Sequence, residues 1–458
     1  MPTVFVIGAG PAGLFTAQKL ALAGHQVVIF NRDIKPGGLA EYGIYPLKDK
    51  MKNGLRKQFA KVLALPNIHY LGHVPVGENS IMSISELREF CPSAMVFAVG
   101  AQATKQLSLP GENADGVYSA KDFVYHYNRL PPFAGQDFSV GKRIAIVGMG
   151  NVMVDIARWL LRDDPAHTAE EIIVIARRGP FEAKFDKKEF ANIQMYLDRK
   201  AFRNELRRIE SQTATVGQDI MKISEETFSC LVKYPDQPSA SPRLTFRFLS
   251  SPFAILQGGN NRIARLILTD NLLVNRSGRV AAESTNKTAE LDVDTMIFAI
   301  GDQHDPCLGL PFGPDGYVTN ADTTYPSAKH EVFDPATKEV LENTYVAGWA
   351  RKPSEGLVGI ARHDGESCAA HVLQSLESRE ERSTASIDEI KRTLEGQGIQ
   401  IVSKSDLVNL QAAEEREAVL RNIDSYKFCH DDAMLSAIER EKSTSNLPVA
   451  LQSAVLVS

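Results

Sequence analysis

Hydrophobic positions along this chain follow two rhythms: short, nearly continuous apolar runs that end in glycine, and longer stretches with apolar residues at helical spacing. The run Val4–Ile7 leads into Gly8-Ala9-Gly10-Pro11-Ala12-Gly13, a helical stretch Leu14–Leu22 and a second apolar run Val27–Phe30. Run, glycine turn, helix and run within about 30 residues is the pattern of a βαβ unit whose strands are covered on both faces. The pattern recurs over Arg143–Val147, Gly148-Met149-Gly150-Asn151-Val152, a helix over Asp155–Leu161 and the closing run Ile172–Ala176. Three further runs, Met95–Val99, Met296–Ile300 and Tyr345–Ala347, stop at Gly100, Gly301 and Gly348. Each predicts a central parallel strand whose carboxyl end meets a ligand crevice.

The polar stretch Ser378–Ser386 reads as the exit from the last helix of this α/β body. Beyond it, Ile399–Val402 is the only strand-like run, followed by charged helical segments around Ala412–Leu420 and Ala433–Glu441 and a tail, Ser443–Ser458, expected to be poorly ordered. At 458 residues the chain calls for two or three domains. The two βαβ units predict an α/β fold with two Rossmann-like dinucleotide-binding domains.

Composition removes several function classes. The net charge of −5 argues against general nucleic-acid binding. No apolar run approaches the roughly 20 residues that cross a bilayer, so no membrane partner is expected. Val4–Ile7 runs straight into a structural glycine turn and leaves no room for a signal peptide, so a cytoplasmic location is expected. Cys91, Cys230, Cys307, Cys368 and Cys429 lie far apart without a C-x-x-C pair. A dithiol centre of the thioredoxin-reductase type and a sequence-local metal site are therefore not expected. Redox chemistry has to sit on a bound organic cofactor.

The glycines supply the binding chemistry. Gly8 permits a tight turn, Gly10 lets backbone approach a pyrophosphate, and Gly13 lets helix and strand pack closely, with phosphate held at the helix N-terminus. The acidic residue that usually grips the ribose hydroxyls at the end of the second strand is replaced by Asn31, whose amide can still hydrogen-bond a ribose. In the second unit, Gly148 and Gly150 are present, but Met153 stands where the third glycine belongs. Arg177 and Arg178 follow the closing strand, where an acidic residue would select NAD. Paired guanidinium groups there suit a 2′-phosphate and so NADP.

Taken in order, these motifs resemble the adrenodoxin-reductase branch of ferredoxin–NADP⁺ reductases, with glutamate synthase small subunits as more distant relatives. The likeness covers roughly residues 3 to 440. It includes Gly8–Gly13, Gly37-Gly38-Leu39 leading to Tyr42-Gly43-Ile44, Leu109-Pro110-Gly111-Glu112, and Gly150-Asn151-Val152 with Asp155, Ala157 and Arg158. It continues through Arg177–Pro180, Phe246–Pro252, Val346–Arg351, Gly356-Leu357-Val358-Gly359, and Val402-Ser403 with Asp406 through Met434-Leu435.

The resemblance implies an FAD domain built from residues 1–105 and 326–380, an inserted NADP domain over 106–325, and a C-terminal extension over 381–442. It implies that Gly8, Gly10, Ala12, Gly13, Asn31, Leu39 and Gly100 serve FAD. Trp349 with Gly356, Leu357 and Val358 would lie against the isoalloxazine. For NADP it implies Gly150, Asn151 and Val152 at the pyrophosphate, and Arg177, Arg178 and Glu189 at the adenosine phosphate. Many relatives carry a histidine and a glutamate as a charged pair beside the nicotinamide, at positions held here by Lys48 and Asn192. Lys48 and Trp349 are accordingly the expected catalytic positions, with proton supply and acceptor choice open.

The implied function is hydride transfer from NADPH to FAD, followed by single-electron delivery to a ferredoxin-like protein. The one dense basic stretch, Asp198–Arg208, is either a solvated helix face or a docking surface for that carrier. Two alternatives stay open: an electron-input subunit of a larger flavoprotein complex, and a flavin-binding scaffold or sensor without turnover.

Overall fold

A computed structural model describes all residues except 224–227, 229–240, 322–327, 354–355, 378–382 and 446–458. Cys230, most of the exit stretch and most of the tail lie outside the described residues. Met1–Thr104, Tyr125–Gln136 and Gly301–Ser458 form one compact unit; Lys105–Val124 and Asp137–Ile300 form a second. The first unit thus takes up the chain again at Gly301 and includes both Tyr125–Gln136 and the C-terminal extension.

In the first unit a six-stranded sheet runs in the order Glu331–Asp334, Glu339–Val346, Ala94–Phe97, Thr3–Ile7, Gln26–Asn31, Ile68–Gly72. All neighbours are parallel except the edge pair Glu331–Asp334 and Glu339–Val346. Alternation across the pleat explains the unbroken apolar runs. Val4, Val6, Val27 and Ile29 join a core with the helices Pro11–Leu22, Asp49–Leu63 and Val358–Glu377. Phe5, Ile7, Val28 and Phe30 join a second core on the other face, with Leu308, Ile390 and Leu394. Because both faces are covered, neither tolerates polar residues.

The helix Val358–Glu377 crosses Pro11–Leu22 at very short range. A Cβ on Gly365 would stand 2.3 Å from the Ala12 carbonyl oxygen, and Thr16 Oγ1 donates to the Gly365 carbonyl at 2.9 Å.

The strand-like run Ile399–Val402 makes a single antiparallel bridge, Gly72 with Val402. A capping box of Ser403 and Asp406 then starts the helix Lys404–Leu420. The last helix, Asp431–Ser445, carries regular structure past the expected start of the tail at Ser443. Both helices share a core with Ile34.

Buried ions fasten this extension to the N-terminal segment. Glu41, 3% exposed, accepts from Arg56 at 2.8 and 2.7 Å and pairs with Lys427 at 2.7 Å, while Lys35 pairs with Glu414 at 2.5 Å. Burial alone would raise the Glu41 carboxyl, but Lys427 and Arg56 outweigh it and hold the group well below the usual carboxylate range. Lys427 also lies over the Tyr42 ring, 4.6 Å from its centroid.

The second unit carries a five-stranded parallel sheet in the order Val117–Ser119, Thr295–Phe298, Arg143–Val147, Glu171–Ile175, Arg243–Arg247. The strand pattern missed a three-stranded antiparallel sheet of Ser250–Gln257, Ile263–Arg276 and Arg279–Asp292. Its last strand is polar and largely exposed, so no continuous apolar run marks it. The signal available was the two-residue turn Ser277-Gly278, with φ of 51° and 78°, capped by Asn275 Oδ1 on the Gly278 N–H.

Lys52 is the least expected member of the first unit's interior. It is 4% exposed, donates to Asn128 Oδ1 at 2.8 Å, and burial pulls its pKa down to about 7. An unfolded lysine titrates near 10.4, so between about pH 7 and 10 the unfolded chain holds a proton that the native chain lacks. Stability should therefore rise with pH across that window, by up to about 1.4 kcal/mol per pH unit. Lys52→Met should lose this rise, so that its urea midpoint exceeds the wild type's most clearly at pH 7 and the difference closes toward pH 9.5. Parallel pH profiles would contradict the assignment.

Candidate dinucleotide sites

The first site is made by what the glycines must avoid. Gly8 has φ of 103°, and a Cβ there would lie 2.6 Å from the Ala98 carbonyl oxygen; on Gly13 it would lie 2.0 Å from the Gly8 oxygen. Those two positions are dictated by the chain's own packing. Gly10 differs, because a Cβ built there meets nothing within 4 Å. It is the N-cap of Pro11–Leu22, with Pro11 in the first turn and no side-chain cap. The helix therefore presents unsatisfied backbone N–H groups and its positive dipole end to open space, as an anion site requires.

Other segments close around this cradle. The Gly37 N–H donates to the Ala9 carbonyl at 2.7 Å, and a Cβ on Gly38 (φ 50°) would stand 3.3 Å from the Gly10 Cα. Leu39 then starts the helical turn Leu39–Tyr42 and packs with Tyr42, Tyr125 and Leu130. Gly348 (φ 66°) opens the turn Gly348–Ala350 directly over Ala12, where a Cβ would fall 2.6 Å from the Ala12 methyl. Gly356 (φ 76°) and the 74% exposed Leu357 precede the N-terminus of Val358–Glu377. Gly100 (φ 74°) follows the strand Ala94–Phe97. Gly8–Gly13, Gly37–Leu39 and Gly348–Trp349 thus adjoin one another around the Pro11–Leu22 N-terminus.

Asn31 is 7% exposed; its Oδ1 accepts the Ala9 N–H at 2.9 Å and its Nδ2 donates to the Asp33 carbonyl at 2.7 Å and the Lys35 carbonyl at 3.2 Å. With both ends of its amide engaged inside the chain, Asn31 braces the glycine turn. The next two residues, Arg32 and Asp33, line a cavity of about 210 Å³ with Tyr42, His73, Leu130 and Asp431. It opens beyond the carboxyl ends of Gln26–Asn31 and Ile68–Gly72.

Lys48 is the N-cap of Asp49–Leu63; its N–H donates to the Tyr45 carbonyl and its own carbonyl accepts from the Lys52 N–H. The strongly perturbed amine lies one turn further on, at Lys52, which the motif comparison passed over.

In the second unit Gly148 (φ 122°) faces the Ala299 carbonyl, and a Cβ would approach that oxygen to 2.2 Å. Gly150, the N-cap of Asn151–Arg158, again has nothing within 4 Å. Met153 is fully buried at the place of the third glycine, so bulk there is absorbed within the unit. Asn151 Oδ1 accepts the Asp186 N–H at 2.7 Å, and the Lys184 N–H donates to the Met149 carbonyl at 2.9 Å, folding the loop 184–186 over the turn. Val152, in the first helical turn, is 46% exposed.

The Arg pair follows the neighbouring strand, whose last residue Ile175 accepts the Gly148 N–H at 2.9 Å. The two arginines are not equivalent. Arg178 donates to the Val280 carbonyl at 3.3 Å, whereas the exposed Arg177 guanidinium has no hydrogen bond or ion pair among the described residues. Glu189 lies on the short helix Lys187–Phe190, and Asn192 Nδ2 donates to the Glu189 carbonyl at 3.0 Å, closing the end of that helix.

The basic stretch folds as the helix Arg199–Thr215. Phe202 and Ile209 are buried, Arg199 is 7% exposed, and Arg208 is tied to Glu205 at 2.7 Å and to the Phe248 carbonyl at 2.6 Å. Two of its five basic residues, Arg199 and Arg208, are therefore structural and Arg203 is half-buried, which leaves Lys200 and Arg207 exposed.

Comparison with known proteins is consistent with this geometry. Residues 2–205 match the pyridine nucleotide-disulphide oxidoreductase family. NADPH-ferredoxin reductase FprA of Mycobacterium tuberculosis is 30% identical over 407 residues, covering 82% of this chain and 85% of that protein. The mitochondrial NADPH:adrenodoxin oxidoreductase of Arabidopsis thaliana is 26% identical over 470 residues, covering 95% of each. Among solved structures, M. tuberculosis FprA in complex with NADPH matches with a TM-score of 0.80 at 26% identity, covering 96% of this chain and 100% of that one.

Because Asn31 satisfies the buried Ala9 N–H, Asn31→Ala should destabilise the flavin-free protein by about 1–3 kcal/mol in urea denaturation. An unchanged flavin-free stability would mean that the amide serves only a bound ligand.

Proposed function

Because this chain belongs to the NADPH-ferredoxin reductase family, we propose that it is an FAD-dependent oxidoreductase that takes reducing equivalents from NADPH and delivers single electrons to a ferredoxin-like protein. The observation that carries the reading is the pair of open glycine cradles, Gly10 and Gly150, each at a helix N-terminus on a parallel sheet, the second in the same unit as Arg177, whose guanidinium is unpaired among the described residues. When bound, FAD would take one hydride, two electrons with a proton, from a reduced nicotinamide and pass the two electrons on singly.

The residues present fit that group. Gly10 and the free N–H groups of Pro11–Leu22 suit the FAD pyrophosphate, and the cavity at Arg32 and Asp33 suits its adenosine end. Gly38, Leu39, Trp349 and the Gly356–Val358 segment would lie against the isoalloxazine, where backbone N–H groups can tune it. In the second unit, Gly150, Asn151 and Val152 would receive the NADP pyrophosphate. Arg177 would supply the main clamp on the 2′-phosphate, with Arg178 and Glu189 beside it. Lys48 is kept as a residue for proton supply and acceptor choice, because the hydride step asks for geometry more than for a protein acid. A cytosolic setting belongs to the same proposal: Cys91, Cys307, Cys368 and Cys429 are free thiols, as a reducing compartment keeps them.

The test combines cofactor identity with selectivity. The purified protein should release FAD on heating and bleach anaerobically with NADPH. Arg177→Ala should weaken NADPH about tenfold to a hundredfold, as loss of a charged hydrogen bond of roughly 1.5–3 kcal/mol implies, while NADH hardly changes. FMN in place of FAD, or equal losses for both nicotinamides, would refute the reading.

Carrier docking is expected to depend on the exposed Lys200 and Arg207 and not on Arg208. Reversing the first two to Glu should raise the apparent KM for a protein carrier and flatten its salt dependence, with ferricyanide reduction little changed. Arg208→Glu should instead lower thermal stability. Carrier turnover indifferent to both salt and reversal would leave the helix as a solvated face.

A further inference from the structure

Trp349 sits at the centre of the turn Gly348–Ala350, and two side chains from other parts of the chain hold that turn. From the helix Val358–Glu377, the Asp364 carboxylate accepts the Gly348 N–H at 2.6 Å and pairs with Arg351. Burial alone would raise the Asp364 carboxyl, but Arg351 and the Gly348 N–H outweigh it and keep the group ionised. His304, 2% exposed, holds the same turn from another part of the chain, with its Nε2 3.0 Å from the Trp349 carbonyl oxygen. A carbonyl only accepts, so Nε2 carries the proton of a ring that burial keeps neutral.

The room for this imidazole is built. A Cβ on Gly316 (φ 115°) would fall 1.7 Å from His304 Nδ1, and Tyr317 packs against the ring at 4.7 Å. A buried polar ring costs free energy unless it is hydrogen-bonded; Nε2 is met by the Trp349 carbonyl, and the Ala350 and Asp315 backbones also lie against the ring. Neither His304 nor Asp364 belongs to a motif in the sequence.

We infer that His304 is a positioning residue for the reductase reaction: with Asp364 it clamps the Gly348–Ala350 turn and so fixes the Trp349 indole in one orientation against the flavin. The inference rests on the proposed function only for the flavin's place. The clamp itself is a property of the chain. Its effect should fall on the chemical steps, because a misplacement of about 1 Å can cost up to a hundredfold in rate.

The chain contains two tryptophans, Trp159 and Trp349, so Trp159→Phe makes Trp349 the sole indole reporter. In that background His304→Ala should increase acrylamide quenching of Trp349 and lower its fluorescence anisotropy, with or without flavin. With ferricyanide as acceptor, kcat should drop about tenfold while KM for NADPH stays within about twofold. His304→Gln, which can still donate to the carbonyl, should recover both signals. In a Trp349→Phe background the loss from His304→Ala should largely vanish, because the two act through one contact.

Unchanged quenching and anisotropy in His304→Ala would overturn the clamp. A freed indole with kcat intact, or the same kcat loss with and without Trp349, would overturn its role in the reaction. Should His304→Ala fail to fold, His304→Gln with wild-type fluorescence and activity, set against a loosened His304→Leu, carries the same test. The fluorescence needs neither NADPH nor carrier, so failure of the proposed function would leave the clamp measurement standing.

Discussion

The structure depends on the near-collision of backbone with backbone at one turn. Gly8 passes so close to the Ala98 carbonyl, and Gly13 so close to Gly8, that a single methyl group at either position would push helix Pro11–Leu22 off the sheet. Because that helix sits low, its first turn comes within reach of the Gly37–Gly38 loop on one side and the Gly348 turn on the other. The crossing of Val358–Glu377 over the same helix repeats the device at Gly365, so four glycines from three distant parts of the chain meet around Ala9 to Gly13. Their shared requirement is the absence of side-chain volume. Gly10 is the exception, because the space beside it belongs to no part of the chain.

The sequence carried the parallel sheets well. Strands such as Val27–Phe30, wholly buried on both faces, can only be written as unbroken apolar runs. The glycine turns were legible for the same reason, since steric prohibitions leave a residue-level mark. The antiparallel hairpin Ile263–Arg276 and Arg279–Asp292 was not, because one of its strands is exposed and polar and its only local sign is a Ser-Gly turn. Asn31 was read through the role of its position in relatives. Its amide also engages the Ala9 N–H and two carbonyls, which spacing cannot reveal. His304, Asp364 and Lys52 were invisible for a further reason: each acquires its meaning from a partner distant in the chain.

The two arginines of the second unit illustrate how packing divides a motif. Side by side in sequence they look like one clamp, yet the hairpin carbonyl of Val280 engages Arg178 and leaves Arg177 uncommitted. The basic helix Arg199–Thr215 divides in the same way, with Arg208 spent on Glu205 and the Phe248 carbonyl. In both places charge counted along the sequence overstates the charge available to a ligand.

The buried ion network around Glu41 joins residues near the start of the chain to residues near its end: Lys35 to Glu414, and Glu41 to Lys427. The whole of Asp137–Ile300, which belongs to the other unit, lies between these partners in the chain. Until Lys427 arrives, Glu41 keeps Arg56 alone and the cavity beside Arg32 lacks the wall supplied by Asp431 and Met434. The first unit is thus closed by a segment that follows the second unit in the chain, and the cavity beside Arg32 has its wall only when that segment is in place.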